Sequence, residues 1–228
     1  LVNSVVKYVK KMVPEYSLPH AYSFRQALDI GKTRAYQNTP LQIQDIAFLQ
    51  YTGGTTGVSK GAILSHKNII ANMQQICEWM KPAFKEGQEI IITALPLYHI
   101  FSLTVNCLSL MKYGGENILI TNPRDIPGFI KTLRSVPFTI MTGVNTLFNA
   151  LMNHPDFEKI DFSHCKVCVG GAMAVQKKVA EMWQQKTNST LFEGYGLTEA
   201  SPVVCCNPVI SDMNQTGTIG MPLPSTDI

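Results

Sequence analysis

Basic runs are almost absent from this chain. No lysine or arginine cluster exceeds Lys10-Lys11 or Lys177-Lys178, the formal charge is +3, and only 15% of the 228 residues are charged. So mild a charge leaves no electrostatic footprint for a polyanion, and nucleic acid is excluded as a partner. Metal-type cysteine pairs are equally scarce. Cys165-Lys-Val-Cys168, with His164 beside it, is half of a metal ligand set, no second such pair exists, and adjacent Cys205-Cys206 are wrongly spaced. With no secretory leader ahead of them, the six cysteines read as reduced, buried thiols of a cytoplasmic protein. Internal repeats and low-complexity segments are missing too. Ile90 to Met111 lacks any formal charge with histidine neutral, which is the length of a membrane span. Pro96, Tyr98 and His99 interrupt it, however, and Ile90-Ile-Ile-Thr93 reads as a strand followed by a buried helix, so it is expected in the core.

What the chain has is a dense loop, Thr52-Gly-Gly-Thr-Thr-Gly-Val-Ser-Lys-Gly61. Gly53, Gly54 and Gly57 let backbone N–H groups close on an anion, Thr52, Thr55 and Thr56 add hydroxyl donors, and Lys60 adds a positive charge, a set suited to polyphosphate. It is not a Walker A loop, because Ser59 precedes the lysine and Gly61 follows it. Short apolar runs at Ile46 to Tyr51 and Ala62 to Leu64 make it a connection between two strands, with a helix starting later, capped by Ser65.

From there the pattern is regular. Strands are predicted at 90–94, 117–121, 138–142, 166–170 and 190–193, separated by helices at 102–113, 125–135, 144–153 and 174–187. That alternation predicts an α/β fold, a largely parallel, doubly wound sheet covered by helices. Ahead of it, helices are predicted at 1–13, where valines and lysines alternate at helical spacing, and at 23–33. The basic amphipathic spacing of the first is compatible with a peripheral site on a membrane surface, although packing on the parent protein is the favoured reading. We expect 1–45 to be a helical and irregular lead-in from a preceding subdomain and 46–228 to be an incomplete α/β domain.

Ligands bind such sheets beyond the carboxyl ends of the strands. Pro96 to His99, Asn122 to Asp125, Gly143 to Asn145, Gly170 to Ala172 and Gly194 to Glu199 all fall there and concentrate glycine, aromatic and ionisable residues on one rim. In the last of these, Gly194 and Gly196 bring the backbone close to a ligand while Tyr195 offers a flat face to a purine. Thr198 offers a hydroxyl to a phosphate, and Glu199 a hard oxygen to Mg²⁺.

The stretch Tyr51 to Ala62 resembles the nucleotide-binding signature of the adenylate-forming (AMP-binding) superfamily. Together with Ala94-Leu-Pro-Leu-Tyr-His-Ile-Phe101, Thr121-Asn-Pro-Arg-Asp-Ile-Pro127 and Glu193-Gly-Tyr-Gly-Leu-Thr-Glu199 it is similar to the bacterial long-chain fatty acid–CoA ligases, from the first residue to the last. The resemblance implies ATP, Mg²⁺, coenzyme A and a fatty acid as ligands. It assigns nucleotide binding to Tyr51, Thr52, Gly53, Gly54, Thr55, Thr56, Gly57, Val58, Ser59, Lys60, Gly61 and Ala62, to Gly170, Gly171 and Ala172, and to Glu193, Gly194, Tyr195, Gly196 and Thr198. It assigns the acyl side to Tyr98, His99, Ile100 and Phe101, with His99 bordering the reacting carboxylate. Catalytic roles fall on Lys60, His99, Thr198 and Glu199, the last as the magnesium ligand.

The reaction implied is attack of a carboxylate on the ATP α-phosphorus, releasing pyrophosphate, then displacement of AMP by the coenzyme A thiolate. It calls for no covalent protein nucleophile. The resemblance also implies a protein over twice this length, with the ribose-binding aspartate, hinge and mobile-domain lysine beyond Ile228, so the 228-residue stretch alone is expected to be inactive. The alternatives are an adenylate-former for an aryl or amino acid, the latter disfavoured by the lack of an acidic anchor for an amine, and a nucleotide-binding module without chemistry. Cytoplasmic placement, with or without peripheral contact at the inner face of the cell membrane, completes the expectation. The sequence leaves oligomeric state open.

Overall fold

A computed structural model describes residues 2–52 and 60–228. The chain divides into two compact units, Leu1–Leu41 and Gln42–Ile228. In the first, a turn at Val2–Ser4 runs into wide π-type turns at Val5–Val9, and helix α1 spans Phe24–Lys32. The first helical segment ends four residues short of the expected 13, because Lys11 takes a left-handed backbone (φ 47) that a right-handed helix cannot continue through. Helix α1 starts where Ser23 and Gln26 form a reciprocal capping box. None of the described residues in this unit is buried.

The second unit opens with a turn in which the Asp45 carboxylate accepts from the Gln42 N–H (2.7 Å). Strands β1 (Ile46–Thr52) and β2 (Lys60–Ser65) then pair antiparallel, with Thr52 opposite Lys60, and Ser65 and Asn68 cap α2 (His66–Met80) in a second capping box. Next come β3 (Ile90–Thr93) and α3, which has wide π-type turns over Ser102–Leu108 and regular ones over Ser109–Lys112. They are followed by β4 (Glu116–Leu119), α4 (Ile126–Leu133), β5 (Ile140–Gly143) and α5 (Asn145–Met152). The last elements are β6 (Val167–Gly170), α6 (Lys177–Thr187), β7 (Leu191–Gly196), β8 (Val203–Cys206) and β9 (Met221–Pro222).

Seven of these strands form one sheet in the order β4-β3-β5-β6-β7-β8-β9. Pairing is parallel from β4 to β7 and antiparallel for β7–β8 and β8–β9. The central strands β3, β5 and β6 are buried on both faces, so alternate residues serve two cores, whereas the edge strand β4 is not. Ile92, Met141, Cys168 and Leu191 join Phe129, Leu147, Phe148 and Trp183 on the α4–α6 side. Ile91 and Ile140 meet Leu110 on the opposite side, where Val167, Val169 and Phe192 meet Ile76, Met80 and Val105 of α2 and α3. The connection β3–β4 runs one way along the sheet and β4–β5–β6–β7 runs back. With right-handed crossovers that reversal puts α3 and α4–α6 on opposite faces, as in a doubly wound sheet.

Within Ile90 to Met111, residues 91–94 and most of 100–110 lie in or against the core while residues 96–99 and Met111 are exposed, and among the described residues no helix is long and apolar enough to cross a membrane. At the amino-terminal end of the sheet, buried Glu89 takes hydrogen bonds from Lys166 Nζ (2.6 Å) and the Lys85 N–H (2.6 Å). Burial pushes this carboxyl up, but hydrogen bonds from Lys166, Thr139 and Lys85 more than offset it and hold the group below the usual glutamate range.

Candidate functional site

At the carboxyl ends of β6 and β7, on the α2–α3 face, a cavity of about 350 Å³ opens. Its rim is polar: Thr52, His99, Gly171, Ala172, Tyr195, Thr198 and Glu199 line it. Its floor is apolar, made by Ile76, Trp79 and Met80 of α2, Val105 of α3, Val169 of β6, Val203 and Cys206 of β8, and Leu223. The size and texture suit a small-molecule site, concave and mostly apolar with a few convergent polar groups.

Several local devices hold the rim. Gly196 passes so close to β8 that a Cβ there would stand 2.1 Å from the Pro202 carbonyl oxygen, so the β7 turn needs glycine. Gly171 faces the Phe101 ring, which a Cβ would meet at 2.8 Å. Beside it Ala172 adopts φ 65, a left-handed conformation costly for a residue with a Cβ and found in the cavity wall. The Phe101 N–H donates to His99 Nδ1 (3.2 Å), so that nitrogen is an acceptor and the network assigns the imidazole proton to Nε2. Gln50 of β1 donates to the Tyr98 carbonyl (2.9 Å), and Leu64, Ile69 and Ile100 form a small core, which together tie the hairpin to the loop carrying His99. Strand β2 lies beside the Thr198–Ala200 turn.

Of the residues singled out from the sequence, Thr52, His99, Ile100, Phe101, Gly171, Ala172, Gly194, Tyr195, Gly196, Thr198 and Glu199 converge on this one cavity. Gly53, Gly54, Thr55, Thr56, Gly57, Val58 and Ser59 lie outside the described residues. Tyr51, Lys60, Gly61, Ala62, Tyr98, Gly170 and Glu193 are described but are not on the wall. Tyr51 is exposed over Gly61, Ala62 turns into the small core, and Tyr98 is solvent-exposed. Gly170 packs against Val175. Glu193 is buried behind the rim, where its carboxylate accepts from the Val175 N–H (3.2 Å) and the Gly217 N–H (2.6 Å), work that fixes two loops. Two rim segments also have structural duties. Asp125 caps α4 through the Gly128 N–H, and Asn145 Oδ1 accepts from the Gln176 N–H.

The floor was missed in the sequence. Ile76 and Met80 lie on the same helical stripe as the core residue Ile69, so periodicity alone reads them as core. Asn72, on that face too, pairs with both backbone groups of Val203: Nδ2 donates to the Val203 carbonyl (2.7 Å) and Oδ1 accepts from the Val203 N–H (3.0 Å), while Nδ2 also donates to Gln75 Oε1 (3.0 Å). Gln75 donates to the Pro224 carbonyl and Trp79 Nε1 to the Asn207 carbonyl, so α2 is stitched to the β8–β9 edge. Burial, with Cys205 adjacent, pushes the Cys206 thiol up to about 12, which makes it an apolar wall and no nucleophile.

For a divalent cation, Glu199 is exposed at the rim, and the described residues contain no group of three histidine, cysteine or acidic side chains. One free carboxylate does not make a protein cage. It does fit Mg²⁺, which is held through one or two carboxylates and the phosphates of its substrate.

A doubly wound sheet with a polar-rimmed, apolar-floored cavity at its strand ends is the framework of a nucleotide-dependent enzyme. The model of the AMP-binding enzyme family matches residues 4–228, and the chain belongs to that family. It is similar to a long-chain-fatty-acid–CoA ligase of Escherichia coli O157:H7, 55% identical over 227 residues, covering all of this chain and 40% of that protein. A ligase of the same description from Haemophilus influenzae is 54% identical over 231 residues and covered to 41%. Among solved structures, the ATP-bound RpMatB-BxBclM chimera B1 superposes with a TM-score of 0.72 at 27% identity, over 87% of this chain and 38% of its own. The chain thus spans about 40% of the length of the curated relatives it matches.

Proposed function

We propose that the full-length protein carries out ATP-dependent activation of a long-chain fatty acid to its acyl-adenylate and transfers the acyl group to coenzyme A. The observation that carries this reading is the single cavity that joins an apolar floor to a rim holding Tyr195, Thr198, Glu199 and His99. A fatty acid needs both: burial of methylenes contributes about 0.8 kcal/mol each, and the carboxylate must end beside the ATP α-phosphorus. In this reading the acyl chain lies along Ile76, Met80, Val105 and Leu223, with His99 Nε2–H as a donor to the carboxylate. Tyr195 faces the adenine and Thr198 donates to the α-phosphate, while Lys60 and the loop 53–59 serve the outer phosphates. Glu199 would hold Mg²⁺, which supplies charge neutralisation on the phosphates. The protein's own contribution is to align carboxylate and phosphate and to keep water off the adenylate. High identity to ligases of that description over the whole chain supports the substrate class.

The test is pyrophosphate exchange by the full-length enzyme with butyrate, octanoate, palmitate, benzoate and phenylalanine, with acyl-CoA followed by mass spectrometry. Palmitate is expected to lead in both. Faster exchange with benzoate or phenylalanine would reassign the acid, and exchange without thioester would remove coenzyme A.

A further inference from the structure

One motif of the sequence is left unused by the ligase reading. Cys165-Lys-Val-Cys168 spans the turn into β6 and the second residue of that strand, at the end of the sheet opposite the cavity. The two sulfurs lie 3.4 Å apart, within hydrogen-bond reach. Cys168 is pinned by its position between Met141 of β5 and Leu191 of β7, and Cys165 by a turn in which its N–H donates to the Phe162 carbonyl (2.9 Å).

We propose that Cys165 and Cys168 are a dithiol that hydroperoxides oxidise to an intrachain disulfide, with Cys165 as the attacking thiolate and Cys168 as the resolving thiol. A disulfide needs the sulfurs about 2.05 Å apart, so closure asks for a further approach of roughly 1.3 Å from the observed 3.4 Å. The two thiols differ as such a pair must. Cys165 is half-buried and lines a surface groove of about 300 Å³ with Ser163, Asn188, Ser189 and Lys186, the last paired with Glu158 (3.5 Å), an opening that admits a small oxidant. Cys168 is fully enclosed, in the core that holds Trp183. The Cys168 hydrogen bond, opposed by burial and aided by Ser189, lowers the Cys165 thiol, whereas that same bond and burial raise Cys168.

The chemistry balances without any group from the ligase site. The Cys165 thiolate attacks one peroxide oxygen. An S–O bond forms, the O–O bond breaks, and the leaving alkoxide or hydroxide takes a proton from water, giving a sulfenic acid. The Cys168 sulfur then attacks that sulfur; the S–S bond forms, the S–O bond breaks, and the departing hydroxide takes the Cys168 proton as water. Two thiols lose two electrons and the hydroperoxide gains them. The remaining cysteines are poorer candidates: burial raises Cys77, Cys205 and Cys206, and Cys107 has the thioether of Met111 for its sulfur neighbour.

Lys166 stands between the two cysteines, which makes the test sharp. The full-length protein is treated with hydrogen peroxide, alkylated with iodoacetamide after unfolding, and digested with trypsin. Cleavage after Lys166 separates Cys165 from Cys168, so a disulfide leaves peptides 160–166 and 167–177 joined, with loss of both alkyl adducts. The expected result is that joined pair, released by dithiothreitol, with Cys168→Ala instead yielding a sulfenic acid at Cys165 that dimedone traps. Two separately alkylated peptides after oxidation, or Cys165 driven to sulfinic acid in the parent protein with Cys168 still alkylated, would overturn the proposal. The readout is a mass, so it stands apart from whether the enzyme makes acyl-CoA.

Discussion

Replacing Asn72 by alanine in the full-length protein removes the only side chain on α2 that pairs with both backbone groups of one residue of β8, the Val203 N–H at 3.0 Å and its carbonyl at 2.7 Å. Asn72 is 4% exposed, and Val203 is half-buried in the cavity wall. An intramolecular hydrogen bond contributes about 0.5–1.5 kcal/mol net, and a buried group left unpaired costs about 1–3 kcal/mol. Water reaches Val203 in part, so the low end of that range, about 1–1.5 kcal/mol, applies to each group and the sum is about 2–3 kcal/mol. For a domain of this size, 1 kcal/mol corresponds to about 2–4 °C, so Tm should fall by about 4–12 °C. Asn72→Asp keeps the acceptor, loses the donor and buries a charge facing a carbonyl, so its loss should be at least as large. Thermal and urea unfolding followed by tryptophan fluorescence measure both. Because Val203 walls the cavity, the KM for ATP or acid should rise as well. An Asn72→Ala protein within 0.5 kcal/mol of the parent would refute the claim that these two bonds hold α2 to β8.

Glu89→Gln tests the ion pair beneath the sheet. A carboxyl held below its unfolded value of about 4.3 stabilises the fold above that pH and loses the contribution as pH falls through the folded value. The stability gap between parent and variant should therefore be flat above about pH 5 and shrink below about 4.3; a gap that grows in acid would reverse the sign. Met80→Trp fills the cavity floor, so kcat/KM for palmitate should drop by about tenfold or more from overpacking while that for butyrate changes less. Equal losses for both acids would remove Met80 from the acyl path. Glu199→Gln keeps size and removes charge, so adenylation should fall by about tenfold or more and the magnesium requirement should rise in a titration at fixed ATP. An unchanged magnesium curve would take the metal away from Glu199.

The parallel sheet was legible because strands buried on both faces read as continuous β-branched runs, such as Ile90-Ile-Ile-Thr93, between helices with their own period. Capping explains why α1 and α2 begin where expected: Ser23 and Ser65 each carry the reciprocal partner three residues on. The antiparallel extension was not legible. Strand β8 is four residues long, starts straight after Pro202, and is defined by pairing with β7 and by the Asn72 amide and Trp79 indole of α2, which reach Val203 and the following Asn207 more than 120 residues away, none of which leaves a local period. The rim of the site could be read because glycine, aromatic and ionisable residues at strand ends are a local signal. The same signal also marked Asp125 and Asn145, which cap and brace helices, and Glu193, whose carboxylate is spent on two backbone N–H groups. The apolar floor could not be read, since a methionine facing a cavity and one facing a core share one helical stripe.

The bonds from α2 to the far edge of the sheet also set a schedule for synthesis. Gln75 waits for Pro224, 149 positions later, and Asn72 for Val203, 131 positions later. At about 5–20 residues per second, a ribosome needs roughly 7–30 s to deliver the second partner after the first. Throughout that interval Ile76, Trp79 and Met80 have no β8–β9 edge to cover them, and the nascent chain presents an apolar helix face to its surroundings. Because strands β8 and β9, far along the chain from α2, close the cavity floor, the newborn form should depend on a chaperone that shields that face until residue 224 has cleared the exit tunnel.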